Sequence, residues 1–402
     1  MMHIPRTVLT ASIAGLFALA GAVQAQLPPH IDQWLQEHRV GPHQDETVDY
    51  DALCAAAQEE GRVVVYASSS RGPASLGEGF HDMCPGIEVE WNTLGTTQTI
   101  ERLIREQQAG VQNVDVVFMS DYPQQAAVLH PAGMVFSWVP PELRDVIPEN
   151  LQQPLLAHNY AARSLIYNTN AHPDGPPIES IWELTEPEWN RRIILVDPRT
   201  EASVLDQLAT IVANADEMAA DYERVYGEPI ELTTENAGYE WIKRIIENNP
   251  IVLARSSDAY PIVGQIDQDN PPIAIGAAMT HVRNAEDPAH GGLKFAPITT
   301  ATPRNGAMLA PTMLNIAFGA PHPNAAKLLI HWLMGDTEGG AGMTPWFLPG
   351  NYPTRTDVTN APEHPFNPDL SYSLDQLDFW TMDGAAVWDI KDDVFNFVND
   401  LL

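Results

Sequence analysis

Residues 61–72 read Gly-Arg-Val-Val-Val-Tyr-Ala-Ser-Ser-Ser-Arg-Gly, and this stretch decides the fold. The valine run from Val63 to Val65 predicts a strand that is buried on both faces, as in a parallel sheet. The strand ends in hydroxyls, and a helical pattern of apolar residues follows from Leu76 to Met83. Such a turn leaves free N–H groups at the carboxyl edge of the sheet, where open α/β sheets bind ligands. Alternatively, the serines only cap the helix and close the turn.

The first 25 residues are predicted to be a signal peptide. Arg6 precedes an apolar run from Val8 to Ala22 that is short for a bilayer span, and Val23–Ala25 forms a small-x-small cleavage site. A short membrane anchor is the alternative. Export by this route predicts a periplasmic protein, and the chain of 402 residues is then long enough for two domains.

Charge is the most extreme property of the composition. The chain has 53 acidic and 21 basic residues, and its formal net charge is −32. This charge argues against nucleic acid or an anionic membrane as a partner. Salt screens the self-repulsion of such a chain, so many acidic residues with few lysines suggest a halophilic protein, whose cell envelope faces high salt.

The two cysteines, Cys54 and Cys84, flank the first predicted strand. An exported protein matures in an oxidising compartment, so a disulfide between them is predicted, with two buried thiols as the alternative. Two cysteines cannot form a zinc site alone, and the sequence has no C-x-x-C or H-E-x-x-H motif. We therefore expect no metal or other cofactor.

Strand and helix patterns alternate along the chain, which favours parallel sheets and the α/β class. Residues 26–47 are predicted to be a loose leader. Lobe 1 is expected to comprise residues 48–157 and 303–355, and lobe 2 residues 158–302 and 356–402, which include the C-terminal helices. The crossings between the lobes are expected near residues 155–162 and 300–306.

Arginine and hydroxyl side chains recur at three predicted strand-to-helix turns, Ser68–Arg71, Arg199–Ser203 and Arg255–Ser257. Hydroxyls and forked guanidinium donors suit an anionic group and require no catalysis. A hydrolase acting through Ser68–Ser70, or through Asp121 and Glu201, is the rival interpretation. It is disfavoured because a nucleophilic serine needs a base, and no histidine lies near these turns in sequence. The chain also lacks a G-x-S-x-G elbow, a P-loop and a dinucleotide fingerprint.

Seven short stretches match a known family in order and spacing. They are Glu60–Tyr66, Pro85–Val89, Val114–Phe118, Leu165–Thr169, Trp182–Leu184, Pro187–Trp189 and Asn351–Val358. In these stretches the chain resembles the periplasmic ferric-ion-binding solute-binding proteins of ABC importers, over about residues 50–358. The resemblance implies a two-lobed, hinged α/β fold with mixed or parallel sheets and a ligand cleft between the lobes. It also implies a monomer that delivers a small molecule to an ABC permease in the inner membrane, although a signalling receptor is compatible with the same sequence.

The iron ligands of that family carry over poorly. The resemblance implies a histidine in the first strand-to-helix turn, an acidic residue after the third strand and two adjacent tyrosines in the second lobe. These positions fall at about Ser70, at Asp121 and near Met279 and Thr280. Because Met279 and Thr280 cannot bind ferric ion as phenolates do, most ferric affinity should be lost. Iron or an iron chelate remains the alternative ligand.

The sequence therefore predicts a non-catalytic binding protein for a small organic anion, such as a phosphate ester, a phosphonate or a carboxylate. The predicted ligand-binding residues are Ser68, Ser69, Ser70, Arg71, Thr96, Asp121, Arg199, Thr200, Glu201, Ser256, Ser257, Tyr352 and Arg355.

Overall fold

The computed structural model describes residues 27–77, 79–335 and 340–402. The predicted signal peptide lies outside these residues. The helices are α1 (Pro29–His38), α2 (Tyr50–Glu60), α3 (Gly72–Leu76), α4 (Gly79–Met83), α5 (Thr96–Gln108), α6 (Tyr122–Gln124), α7 (Ala202–Ala213), α8 (Ala215–Tyr226), α9 (Ala237–Glu247), α10 (Ser256–Val263), α11 (Pro323–Met334) and α12 (Gly384–Leu401). The strands are β1 (Arg62–Ala67), β2 (Glu88–Thr93), β3 (Val116–Met119), β4 (Val135–Phe136), β5 (Ala157–Asn168), β6 (Ile193–Val196), β7 (Ile251–Leu253), β8 (Ile273–Ala278), β9 (Phe295–Pro297), β10 (Met308–Ala317), β11 (Asn351–Pro353) and β12 (Trp380–Thr381).

The strands form one continuous mixed sheet with the order β2-β1-β3-β10-β5-β8-β6-β7. β1 pairs in parallel with β2 and β3, and β6 pairs in parallel with β7 and β8. The long strands β5 and β10 lie between these two parallel sets and are antiparallel to their neighbours in the order and to each other. We call the half built on β1–β4 lobe 1 and the half built on β6–β9 lobe 2.

The valine run forms β1 as predicted. Val63 and Val65 are fully buried and Val64 nearly so, which is the pattern of a strand covered on both faces. Helices α11 and α5 both contact this strand. The strand ends at Ala67, and the register places Ala67 beside Phe118 of β3. The turns that follow β1 and β3 therefore lie at the same edge of the sheet.

The chain crosses between the lobes on β5 and again on β10. The first crossing overlaps the expected region, residues 155–162. The second lies later than residues 300–306, because Thr302 is still tied to lobe 2: its N–H donates to Glu179 O, 2.9 Å away, and its carbonyl accepts from Ile181 N at 2.8 Å.

The leader is ordered rather than loose. It contains α1, whose residues Ile31 and Leu35 are four apart on one helix face and are both buried. The Trp34 ring packs edge-on against Phe318 of lobe 1, with centroids 5.5 Å apart.

The C-terminal helix α12 contacts both lobes. Val387, Val394 and Val398 form its buried stripe, and Phe397 packs against Tyr239 of α9 with ring centroids 4.9 Å apart. On the lobe 1 side α12 packs on α6. Lys391 Nζ lies 2.6 Å from Asp206 Oδ1 of α7 and 3.9 Å from Asp121 Oδ1. The segment expected to belong to lobe 2 therefore joins the two lobes.

The predicted disulfide is confirmed. Cys54 of α2 is bonded to Cys84, directly after α4, with Cα atoms 5.8 Å apart. Over the described ranges, no helix combines the length and apolar character needed to cross a membrane.

Candidate ligand-binding site

The turn after β1 is held rigidly by two tryptophans. Trp91 Nε1 donates to Ser69 O at 2.9 Å, and Trp346 Nε1 donates to Ser69 Oγ at 3.2 Å. Ser69 Oγ also accepts from the N–H of Arg71 at 3.2 Å. Gly72 is required here, because a Cβ at this position would lie 2.0 Å from the Trp91 ring. These contacts fix the backbone from which the Arg71 side chain projects.

Arg71 is half-buried and has no acidic partner among the residues that the structure describes. Burial lowers the pKa of its guanidinium, and the positive charge of Arg283 lowers it further. Arg283 is exposed and belongs to a 3₁₀ helix, Met279–Asn284, that follows β8 of lobe 2. The two guanidinium groups therefore lie close enough to interact, although they belong to different lobes.

One segment contacts both the neighbourhood of Arg71 and the 3₁₀ helix that carries Arg283. On the lobe 1 side, Ser75 Oγ donates to Gly342 O at 2.5 Å, and Trp346 contacts Ser69 as described above. On the lobe 2 side, Gly350 meets the start of the 3₁₀ helix: a Cβ at Gly350 would lie 2.4 Å from Thr280 N. Gly350 also has a φ of +84°, so both the close contact with Thr280 and the backbone conformation favour glycine at this position. The segment 340–350 thus lies between the lobes and contacts both.

In lobe 2, the protein's own Glu201 occupies the amino terminus of α10. Glu201 Oε2 accepts from Ser256 N at 2.9 Å, and Oε1 accepts from Ser256 Oγ at 3.2 Å. Oε1 also accepts from Arg163 Nη2, and Arg163 Nη1 donates to Gly276 O at 2.5 Å. Burial lowers the pKa of Arg163, and the Glu201 charge opposes that shift. The donors predicted to bind an external anion here thus bind an internal carboxylate.

His281 lies beside this cluster. Its Nε2 is 3.4 Å from Ser256 Oγ, and its ring stacks on Tyr260 with centroids 4.7 Å apart. Burial lowers the pKa of His281, and the positive charges of Arg283 and Arg163 lower it further. The ring is therefore neutral at pH 7, because its ordinary value of 6.5 is already below that pH.

Several predicted residues do meet at the lobe 1 edge of the sheet. Ser68 Oγ accepts from Ser120 N at 3.3 Å, and Ser120 Oγ is 3.2 Å from Thr96 Oγ1. Ser70 is exposed in the same turn as Arg71. Ser68 and Thr96 thus lie at one edge of the sheet, each in contact with Ser120, because their strands end side by side.

Other predicted residues are held by the protein itself. Arg199 donates from Nε and Nη2 to Asp197, both at 2.9 Å, and Thr200 Oγ1 donates to Ala254 O at 2.8 Å. Ser257 Oγ is 3.4 Å from Asp258 Oδ1. Asp121, in a left-handed conformation with φ 67°, is directed to Lys391. These side chains stabilise turns or the contact with α12.

Tyr352 and Arg355 are buried. The Tyr352 side chain is 1% exposed, its hydroxyl has no hydrogen-bond partner within the described part of the chain, and burial raises its pKa. Arg355 is also 1% exposed and donates to Met334 O, Gly335 O and Asp357. Both side chains are enclosed by protein in this structure, so we leave both out of the proposed site.

Sequence reasoning missed Arg283, His281 and Trp346. None belongs to a motif, and Arg283 and His281 follow β8 in an irregular stretch without the hydroxyl-rich pattern of the other turns. Their position in the sequence could have identified Arg283 and His281, because both follow a strand of the sheet at the edge where ligands bind. Throughout the described residues, no three His, Cys, Asp or Glu side chains cluster so that they could hold a metal ion.

No protein-family model and no curated protein matches the chain. Solved structures do match it in fold. Iron-bound HitA from Pseudomonas aeruginosa is 17% identical, covers 85% of this chain and 99% of its own, and superposes with a TM-score of 0.60. A FutA protein from Trichodesmium, in complex with iron and citrate, is 15% identical with coverages of 85% and 99% and a TM-score of 0.58. The substrate-binding protein of an ABC transporter from Agrobacterium tumefaciens is 16% identical, with coverages of 85% and 94% and a TM-score of 0.56. These likenesses confirm the two-lobed periplasmic-binding-protein fold.

Proposed function

We propose that this chain is the periplasmic substrate-binding protein of an ABC importer and that it captures a small organic anion between its lobes. Support for the general role comes from the fold, which the chain shares with the substrate-binding and ferric-binding proteins named above. On this proposal the protein is a non-catalytic monomer, and its macromolecular partner is a permease in the inner membrane.

The unpaired charge of Arg71 carries the choice of an anion. A partly buried guanidinium without a counter-ion is unfavourable, because burial removes hydration that nothing replaces. A bound anion would replace it with charge-assisted hydrogen bonds, which suit the forked donor geometry of arginine. The exposed Ser70 hydroxyl and the Ser69 backbone border the same position. This arrangement suits the binding and orientation of a ligand, and within the described residues no histidine or carboxylate hydrogen-bonds to the Ser69 or Ser70 hydroxyl to make it a nucleophile.

Ferric iron is the second candidate, because two of the matching structures contain it. A bare ferric ion fits poorly between Arg71 and Arg283, since like charges repel and neither Met279 nor Thr280 provides a phenolate. Asp121, the one acidic position retained, is directed to Lys391. An iron–carboxylate chelate is itself anionic and would suit the two arginines better than the bare ion.

Mass spectrometry of the molecule released when the purified protein is denatured, together with metal analysis, tests the proposal. The released molecule should be an organic anion. In calorimetric titrations at fixed salt, Arg71→Ala should weaken its binding by about tenfold or more, since a hydrogen bond to a charged group contributes roughly 1.5–3 kcal/mol. Arg199→Ala is the matched control, because Asp197 already pairs with that side chain, and affinity should not change.

Three outcomes would contradict the proposal. Equal affinities of wild type and Arg71→Ala would remove Arg71 from the site. Stoichiometric release of iron without an organic anion would favour the iron alternative. Turnover of the released molecule by the protein would establish an enzyme.

A further inference from the structure

We propose that Arg283 is the second half of this site and that the ligand's head group is a dianion that bridges Arg71 and Arg283 across the cleft. The inference rests on the proposed function and makes it more specific, because it names the charge of the ligand and a residue that recognises this charge.

One interlobe segment contacts the immediate neighbours of both arginines in the chain. Residues 340–350 contact the Arg71 turn through Trp346 and Ser69, whose Nε1 and Oγ atoms are 3.2 Å apart. The same segment meets Thr280 through Gly350, and Thr280 is the second residue of the 3₁₀ helix that carries Arg283. The turn that carries Arg71 and the helix that carries Arg283 are therefore both held against this segment at the junction of the lobes. Their proximity is also expressed in the effect of Arg283 on the ionisation of Arg71.

The charges around the junction add up to two uncompensated positive groups. Arg163 is neutralised by Glu201, which contacts both Arg163 and the amino terminus of α10. His281 is neutral at pH 7, as argued above. Within the described ranges neither Arg71 nor Arg283 has an acidic partner. A ligand with two negative charges would match this pair, whereas a single charge would leave one guanidinium uncompensated.

This charge pattern also links binding to closure. In the empty protein the two guanidinium groups repel each other and so oppose the approach of the lobes. A dianion between them changes repulsion into two attractions, one to each lobe. The ligand's differential interaction with the closed state then provides the free energy for hinge motion on β5 and β10.

Charge reversal at Arg283 tests the facing geometry without any ligand. In Arg283→Glu, the new carboxylate should form an interlobe ion pair with Arg71 and close the empty protein. Small-angle scattering of protein stripped by denaturation and refolding, in about 0.15 M salt, where the Debye length is about 8 Å, is the assay. We expect Arg283→Glu to have a smaller radius of gyration than Arg283→Gln, the neutral control. Adding Arg71→Glu to Arg283→Glu should restore the larger value. Equal radii for the Glu and Gln variants would overturn the inference.

A second experiment tests the charge of the ligand. Glycerol 3-phosphate and succinate serve as dianionic probes, and their monomethyl esters as monoanionic ones. For a dianion that binds, affinity should exceed that of its ester by about tenfold or more, and Arg283→Ala should abolish most of that preference. If none of the four binds, the charge of the molecule released from the denatured protein decides, and a monoanionic or neutral molecule would overturn the inference.

The two arms separate failure of the inference from failure of the proposed function. If Arg71→Ala weakens anion binding while Arg283→Ala and the ester change nothing, the dianion inference is wrong and the anion-binding function stands. If Arg71→Ala has no effect on any bound anion, the proposed function itself is wrong. If the charge-reversed variant closes as expected in that case, the facing geometry still holds.

Discussion

The Arg163–Glu201 pair offers a direct test of how lobe 2 is held together. In Glu201→Ala the guanidinium of Arg163 loses its counter-ion, and Ser256 loses the acceptor of both its N–H and its hydroxyl. The Arg163 side chain is 10% exposed and that of Glu201 is 23% exposed. Glu201 makes no side-chain cap to α7, so the helix should not lose a cap in this variant.

The expected cost follows from this burial. Removing one partner of a buried ion pair typically destabilises a protein by about 3–5 kcal/mol, because the other charge remains buried. We expect a value near the lower end, about 3 kcal/mol, since Glu201 is partly exposed and water can reach the guanidinium after its removal. The double variant Arg163→Met/Glu201→Ala should recover most of the loss, because it removes the orphaned charge as well.

Urea unfolding at pH 7 and fixed salt measures these differences through the transition midpoint. Arg199→Ala is the control, since its ion pair with Asp197 is partly exposed and contributes at most about 1 kcal/mol. A loss for Glu201→Ala below about 1 kcal/mol, or a double variant no more stable than the single one, would refute the view that Glu201 is the resident anion of this site.

Three further predictions concern stability. His158 is fully buried, and burial lowers its pKa from 6.5 to about 4. Keeping this side chain neutral contributes stability that is complete above about pH 6.5 and is lost as the pH falls towards 4. The loss is about 3 kcal/mol in all. The urea unfolding midpoint of His158→Gln should therefore depend less on pH between those limits than that of the wild type. Replacing Cys54 and Cys84 by serine should lower the free energy of unfolding by about 3–4 kcal/mol, because the disulfide closes a loop between cysteines that are 30 residues apart. A melting temperature that does not change when the wild-type disulfide is reduced would contradict this. Lys391→Met leaves Asp206 buried without its partner and should lower the free energy of unfolding by about 3 kcal/mol. Adding Asp206→Leu should recover most of this loss. Without that recovery, the loss would not come from the unpaired charge of Asp206.

Local patterns were sufficient to predict much of the fold. A buried valine run has to be a covered strand, and the alternation of such runs with helical patterns predicted the α/β class. The Cys54–Cys84 pairing followed in the same way, because export and the flanking of one strand are both visible in the order of residues. The Ser68–Arg71 turn could be placed at the carboxyl edge of the sheet, since the strand before it was recognisable from its residues.

The tertiary structure decided how these elements combine into a site. Ser256 and Arg163 are suitable anion donors by residue type, but only the tertiary fold brings the carboxylate of Glu201, which directly precedes α7, onto them. Likewise, Arg71 and Arg283 are more than two hundred residues apart in sequence, and no local pattern relates them. They come close enough to interact because two strands cross between the lobes and the segment 340–350 contacts both lobes. The sequence by itself determined which side chains could bind an anion; the long-range packing determined which of them already have a charged partner and which do not.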